Sequence, residues 1–323
     1  MTVINTVSGV IGPEALGLTL VHEHIIASFA GWDCDALARP YDIEKIVKIC
    51  MTAVGPVKQF GVKSIIDATP IDLGRDMEVM KQVSDKLELN IICSTGMYTE
   101  DMGKYAYFKH RSKNQGEDMA AEIYDTFLYE ITRGIGKTGV KAGVIKVATG
   151  LNKISDCEMA TLKAAARAQK ETGVPIITHT EAGTMGPEQV DVLLAEGADP
   201  EKIMCGHMCG NRSIPYQESV LDKGVYISFD RFGIEAIMPD AVRTATLISL
   251  LGMGYAGRVM LSHDRIGCTL GRGGAVSEEK RKLWENWTFT TIFRNIIPAL
   301  KQAGVTDQQI NTMMVENPRK LLS

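Results

Sequence analysis

Short, continuous apolar runs recur along this chain, separated by longer stretches with apolar residues at helical spacing. The strand-like runs cover 17–21, 62–67, 90–95, 142–148, 174–178, 203–206, 225–229 and 259–262. Most lack polar alternation, as expected of strands buried on both faces. Between them, 42–59 carries apolar residues at Ile43, Ile46, Val47, Cys50, Val54 and Val57, which predicts a helix. The stretch 155–170 opens with Ser155 followed three residues later by Glu158, the signature of a capping box. Helical patterns also cover 185–196 and 241–251, and after the last strand 283–300 and 307–314.

Strands alternating with helices predict an α/β fold with a parallel sheet. Eight strands is the number that closes into a (β/α)8 TIM barrel, here with extra C-terminal helices. An open doubly wound sheet would place a glycine-rich turn after the first strand. That position holds Val21-His22-Glu23-His24 instead. No internal repeat and no Pro/Gly/Ser-rich linker interrupts the pattern, so one domain is expected over 1–323.

Composition narrows the function classes. Of 323 residues, 45% are hydrophobic and 23% charged, which excludes a disordered chain. The formal charge of −4 gives no reason to expect a nucleic-acid partner. No apolar run reaches the roughly 20 residues that cross a bilayer, so no membrane partner is expected. The start Met-Thr-Val-Ile-Asn-Thr shows no basic region followed by an apolar stretch, and no signal peptide is expected. Seven dispersed cysteines, at 34, 50, 93, 157, 205, 209 and 268, read as reduced thiols in the cytoplasm.

The candidate chemistry sits at strand ends. Four of the six histidines lie there: His22 and His24 after the first strand, His179 after the fifth and His207 after the sixth. Asp264 follows the eighth strand, and Lys146 falls inside the fourth, where an unpaired ammonium is costly. Active sites of this barrel form at the C-terminal ends of the strands. On a strand, His22 and His24 point the same way while Glu23 points elsewhere. Neutral imidazoles suit zinc, iron, cobalt or manganese. A lysine carboxylated by carbon dioxide is an anionic donor able to bridge two ions; the alternative is a buried Lys146 with a lowered pKa or a carboxylate partner. His22, His24, Lys146 and Asp264 would hold one divalent ion, and Lys146, His179 and His207 a second. Two such ions generate hydroxide near neutral pH, and Asp264 can accept the proton released on attack. A mononuclear deaminase on the same barrel would have no use for a bridging Lys146, and a non-catalytic barrel would have no need of all six positions.

The chain resembles the phosphotriesterase-like lactonases of the amidohydrolase superfamily. The likeness runs from Leu16-Gly-Leu-Thr-Leu-Val-His-Glu-His24 to Glu316-Asn-Pro-Arg-Lys320. It includes Gly74-Arg-Asp76, Thr95-Gly-Met-Tyr98, Ala142-Gly-Val-Ile-Lys146, Pro175-Ile-Ile-Thr-His179, Gly206-His207, Phe229-Asp-Arg-Phe-Gly233 and Leu261-Ser-His-Asp264. The resemblance implies two metals, zinc first, bridged by N6-carboxylated Lys146. It implies a homodimer that hydrolyses small-molecule lactones, with side activity on phosphotriesters and esters. It also implies that Tyr98 places substrate beside the metals and that Arg231 lies at the pocket. Asp230 then pairs with Arg231, either to form an outward proton relay from Asp264 or as a simple structural ion pair. Two departures stand out. His207 is followed by Met-Cys-Gly-Asn211, where the lactonases usually carry Gly-Asp. The loop after Asp264 runs to Gly274 with Arg265 and Arg272 among glycines, where many relatives are apolar. If these arginines line the pocket they favour a sugar or phosphorylated sugar lactone over a long acyl lactone; otherwise they face solvent. The basic stretch 104–113 reads as a solvated loop.

Overall fold

The computed structural model describes residues 2–272 and 277–323. Gly273 and Gly274 of the loop after Asp264 lie outside the described residues. Nine parallel strands form one sheet: β1 (Leu18–Ala27), β2 (Val62–Asp67), β3 (Asn90–Gly96), β4 (Val144–Thr149), β5 (Ile176–Thr180), β6 (Ile203–Cys205), β7 (Tyr226–Phe229), β8 (Val259–Leu261) and β9 (Ile266–Thr269). Each of the first eight pairs with its sequence neighbour, and β9 pairs with β1. The last strand closes the cylinder in two steps. After β8, the His22 amide donates to Ser262 Oγ at 3.0 Å and the Asp264 amide to the His22 carbonyl at 3.0 Å. The chain turns at Asp264, whose backbone is left-handed (φ 56°), and resumes as β9 beside His24–Ala27. This is the TIM barrel with added C-terminal helices expected from the strand rhythm.

One apolar side chain from each barrel strand fills the lumen: Val21, Ile66, Ile92, Val144, Ile177, Met204, Tyr226 and Met260 are all buried in one cluster. Ile4, Leu16, Leu321 and Leu322 join that cluster, so the chain ends plug the barrel. Residues two positions further along several strands share the inward direction. Val144 is thereby followed by Lys146 and Ile177 by His179. In β1 the register shifts between Leu20 and Glu23, a bulge that lets Val21 fill the lumen while His22 and His24 also face the site.

Helices wrap the outside: α1 (Ile43–Val54), α2 (Met77–Leu87), α3 (Ala106–Gln115), α4 (Met119–Thr132), α5 (Asp156–Thr172), α6 (Gly186–Ala195), α7 (Ile214–Leu221) and α8 (Asp240–Gly252). Ser155 caps α5 in the capping box the sequence predicts. The helix expected over 42–59 stops at Val54, because Gly55-Pro56 cannot continue it, and gives way to the tighter turns Gly55–Phe60. The helix expected over 283–300 is broken between Trp284 and Ile292. A wide π-turn, Ile292–Ile296, precedes Pro298, and another, Thr312–Glu316, precedes Pro318. Proline lacks the amide a regular turn would use, and the wider turn accommodates its ring. The 104–113 stretch is mostly helix α3 rather than a loop, although its Lys104, Lys109 and Lys113 are solvent-exposed as expected.

Glu23 is fully buried on the opposite side of β1 from the histidines. Its Oε1 accepts from Ser262 Oγ at 2.7 Å, the His263 amide at 3.0 Å and His263 Nδ1 at 2.7 Å, while Oε2 accepts from the Arg265 amide at 2.9 Å. One carboxylate thus stitches the first strand to the turn that closes the barrel. Hydrogen bonds to an ionised acceptor are worth more than neutral ones, so Glu23→Gln is expected to destabilise the fold by about 2–3 kcal/mol. Chemical denaturation checks this, and an unchanged midpoint would remove Glu23 from the closure.

Candidate metal centre

All six residues picked from the sequence as ligands line one cavity of about 250 Å³ at the C-terminal mouth of the barrel. His22 and His24 lie on β1, Lys146 on β4, His179 on β5, and His207 and Asp264 on the turns after β6 and β8. The two strand-end turns place both residues in left-handed backbone, His207 at φ 57° and Asp264 at φ 56°. Two glycines make the approach of neighbouring strands physically permissible. A Cβ on Gly96 (φ 121°) would stand 1.8 Å from the Lys146 carbonyl oxygen, and one on Gly206 2.0 Å from that of Thr178.

The donor atoms converge. Asp264 Oδ1 is 3.1 Å from His24 Nε2 and 3.5 Å from His22 Nε2, and its Oδ2 is 3.8 Å from His207 Nε2. Lys146 Nζ lies 3.1 Å from His22 Nε2 and donates to the Thr178 carbonyl at 3.3 Å. His179 and His207 meet edge to face with centroids 4.5 Å apart, and Tyr98 packs on His179 at 4.9 Å.

A second layer holds these rings from behind. Asp230 is fully buried and takes His22 Nδ1 at 2.7 Å on one oxygen and His207 Nδ1 at 2.8 Å on the other. It also accepts from Ser228 Oγ at 2.6 Å and from the His207 amide. His24 Nδ1 meets Thr69 Oγ1 at 2.8 Å, and His179 Nε2 meets Glu181 Oε2 at 2.9 Å. With their Nδ1 atoms engaged, His22, His24 and His207 offer Nε2 to the centre, and His179 has Nδ1 to offer. This corrects the expectation for Asp230. It makes no ion pair with Arg231, because its oxygens are taken by two imidazoles. Arg231 Nε instead meets Asp264 Oδ2 at 3.0 Å.

Electrostatics favour the ligand forms. Burial pushes His179 down to about 4, and burial followed by the Lys146 charge lowers His22; burial also takes His207 well below its ordinary value. Burial lowers Lys146 to about 8, so a useful fraction of the amine is uncharged near neutral pH. For Asp264, burial opposes ionisation, but the polar edges of the facing His207 and His22 rings, the His24 hydrogen bond and the Arg231 guanidinium outweigh it and hold the carboxyl well below the usual range. Neutral imidazoles, an ionised carboxylate and a buried amine able to take up carbon dioxide form a donor set that fits two adjacent divalent cations. Tyr98 is raised by burial and remains a neutral phenol.

Above the donors the cavity is walled by Phe29, Leu73, Ile234, Ile237, Trp284 and Trp287. Arg265 and Arg272 are absent from this lining, which corrects the reading of them as pocket residues. Strand alternation sends Arg265 to the face opposite Asp264 and Ile266, where its guanidinium lies 4.5 Å over Trp287. Arg272 is exposed and bound to Asp35, with Nη2 2.7 Å from Oδ1. After His207, the departure Met208–Gly210 forms a tight turn whose Met208 carbonyl accepts from Gln217 at 2.6 Å. Sequence reasoning missed the supports Thr69, Glu181 and Ser228. Asp230 carried a usable signal, since it keeps the inward parity of Tyr226 and Ser228.

The phosphotriesterase family profile matches residues 2–322. An aryldialkylphosphatase from Saccharolobus solfataricus is 37% identical over 309 residues, covering 95% of each chain. The solved structure of an organophosphorus hydrolase from Deinococcus radiodurans superposes with a TM-score of 0.96 at 40% identity, covering 100% of this chain and 97% of that one. A phospho-furanose lactonase from Mycoplasmopsis agalactiae is 28% identical over 333 residues, covering 99% of this chain and 91% of its own.

Asp230 orients two ligand rings, and losing such a support costs about 10–100-fold in metal affinity. Asp230→Asn keeps the shape but replaces one of the two accepting oxygens with a donor. Metal retained after graded chelator dialysis should fall by that factor, whereas wild-type retention would mean that the rings are held by other contacts.

Proposed function

The chain belongs to the phosphotriesterase family, and on that premise we propose that this hydrolase is a binuclear metal-dependent lactonase acting on lactones with apolar substituents. The observation that carries the reading is the stacking of two layers in one cavity: six ligand-type side chains at its base and an apolar wall above them. His22, His24, Asp264 and carboxylated Lys146 would hold one ion, with Lys146, His179 and His207 on the other. Bound divalent cations, zinc first, would supply Lewis acidity and lower the pKa of water so that hydroxide exists at neutral pH.

The chain's own groups do the rest. Asp264 takes the proton released as the carbonyl is attacked. Arg231, on its Oδ2, keeps that carboxylate ionised and aimed. The neutral Tyr98 hydroxyl orients the substrate beside His179. Trp284, Trp287, Ile234 and Ile237 bury the substituent and exclude water. Among the described lining residues the cationic side chains are Lys146 and Arg231, both engaged at the base. That leaves no free cation for the phosphate of a phosphorylated sugar lactone. Neutral phosphotriesters and aryl esters fit the same walls as side substrates. The reading further makes the chain one domain over 1–323, a homodimer by its lactonase resemblance, and cytoplasmic in keeping with seven cysteines free of disulfides. No described helix is long and apolar enough to cross a membrane.

Two outcomes are expected. Asp264→Asn should lower kcat by about 10²–10⁴-fold with the thermal midpoint little changed, as removal of a proton acceptor does; near-wild-type turnover removes the role. In a substrate panel of acyl lactones, phosphorylated sugar lactones, aryl esters and phosphotriesters, acyl lactones should give the highest kcat/KM. Ile237→Asp should raise KM for long-chain lactones by about tenfold or more while sparing short ones. Preference for the phosphorylated lactone would overturn the substrate assignment.

A further inference from the structure

Behind the Trp287 wall, outside the metal cavity, lies a second groove of about 580 Å³ between α1 and the segment leading into the last helices. Arg265 and Arg294 line it, together with the side-chain amides of Asn286 and Asn295; the hydroxyls of Thr52 and Thr291, also in the lining, are spent on the Lys48 and Asn286 carbonyls. Glu285, exposed, is the one carboxylate among its described lining residues, so two guanidiniums against it leave the groove cationic.

Neither arginine has a hydrogen-bond acceptor or a carboxylate partner for its guanidinium among the described residues. Arg265 is half-buried and rests on the Trp287 ring at 4.5 Å, while Arg294 lies 6.0 Å from the Phe60 ring. Glu23, the nearby carboxylate, accepts the Arg265 backbone amide rather than its guanidinium, and its other oxygen is held by Ser262 and His263. A guanidinium stacked on a ring keeps its N–H edge free, and that edge matches the planar oxygens of a carboxylate or a phosphate. A partly desolvated guanidinium without an acceptor is a cost the fold bears unless a ligand supplies one.

We propose that this groove is a binding site for a small oxyanion, a carboxylate or a phosphate, held between Arg265 and Arg294 with the side-chain amides of Asn286 and Asn295 completing the contacts. The site is distinct from the metal centre but mechanically adjacent to it. Arg265 follows Asp264 in the chain, and Trp287, on which it stacks, walls the metal cavity and donates to the His263 carbonyl at 2.7 Å. Occupancy therefore fixes the wall against which the substrate packs.

The test titrates the metal-loaded full chain with inorganic phosphate and, separately, with acetate, by calorimetry. Charge-assisted hydrogen bonds predict that Arg294→Gln and Arg265→Gln each weaken binding by about tenfold or more. Arg294→Gln should leave turnover without added anion at the wild-type level, because it touches no part of the metal cavity. The tighter arm identifies the oxyanion class. Oxyanion held at the metals alone would titrate identically in wild type and both variants, and that result, or the lack of any saturable site, overturns the proposal. If Arg265→Gln fails to fold, exposed Arg294→Gln decides alone.

Discussion

The centre depends on one buried carboxylate. Asp230 is placed just after β7 and fixes imidazoles from β1 and from the turn after β6, one on each oxygen. A carboxylate this deep would be costly alone, but two ring N–H groups, Ser228 and a backbone amide satisfy it. Because both rings give Nδ1 to Asp230, both present Nε2 to the same space, where Asp264 arrives from the far end of the chain. The arrangement is therefore committed to cation binding by its supports as much as by its ligands.

Closure of the barrel and assembly of the site are the same event. The turn that carries Asp264 is tied to β1 by Glu23 and by the His22 carbonyl, so the contacts that seal the cylinder also set the distance between Asp264 and the two first-strand histidines. The lumen beneath is a packed apolar layer with one side chain per strand. It gives Lys146 and His179 a rigid, dry floor, which explains why burial dominates their lowered pKa values.

Much of this was legible in the sequence, and for physical reasons. Continuous apolar runs mark doubly covered strands, and His22, His24, Lys146, His179, His207 and Asp264 fall at one end of those runs, so the fold alone brings them together. The apolar run ends at Val21 although the first strand continues to Ala27, because polar His22, Glu23 and His24 break the run while all three are buried in β1. The supports were harder to see. Thr69 is an ordinary residue type on a loop that only three-dimensional closure brings to His24, and Glu181, two residues after His179, looks in sequence like any exposed turn carboxylate. Arg265 and Arg272 stay out of the metal cavity for a related reason. Charge pattern says that a loop is basic, but strand alternation and the partner Asp35 decide which way each guanidinium turns. The break before Ile292 was likewise hidden, because aromatic Trp284 and Trp287 keep an apolar rhythm across a stretch that is not helical.

Two cations are expected to share these six side chains, and the most direct measurement is the number of metal ions per chain. The purified chain would be stripped, reconstituted with zinc in the presence of bicarbonate, freed of excess metal and assayed by elemental analysis alongside protein concentration. Two ions per chain are predicted. A reproducible value of one in fully active protein, or full activity with none, would contradict the binuclear centre.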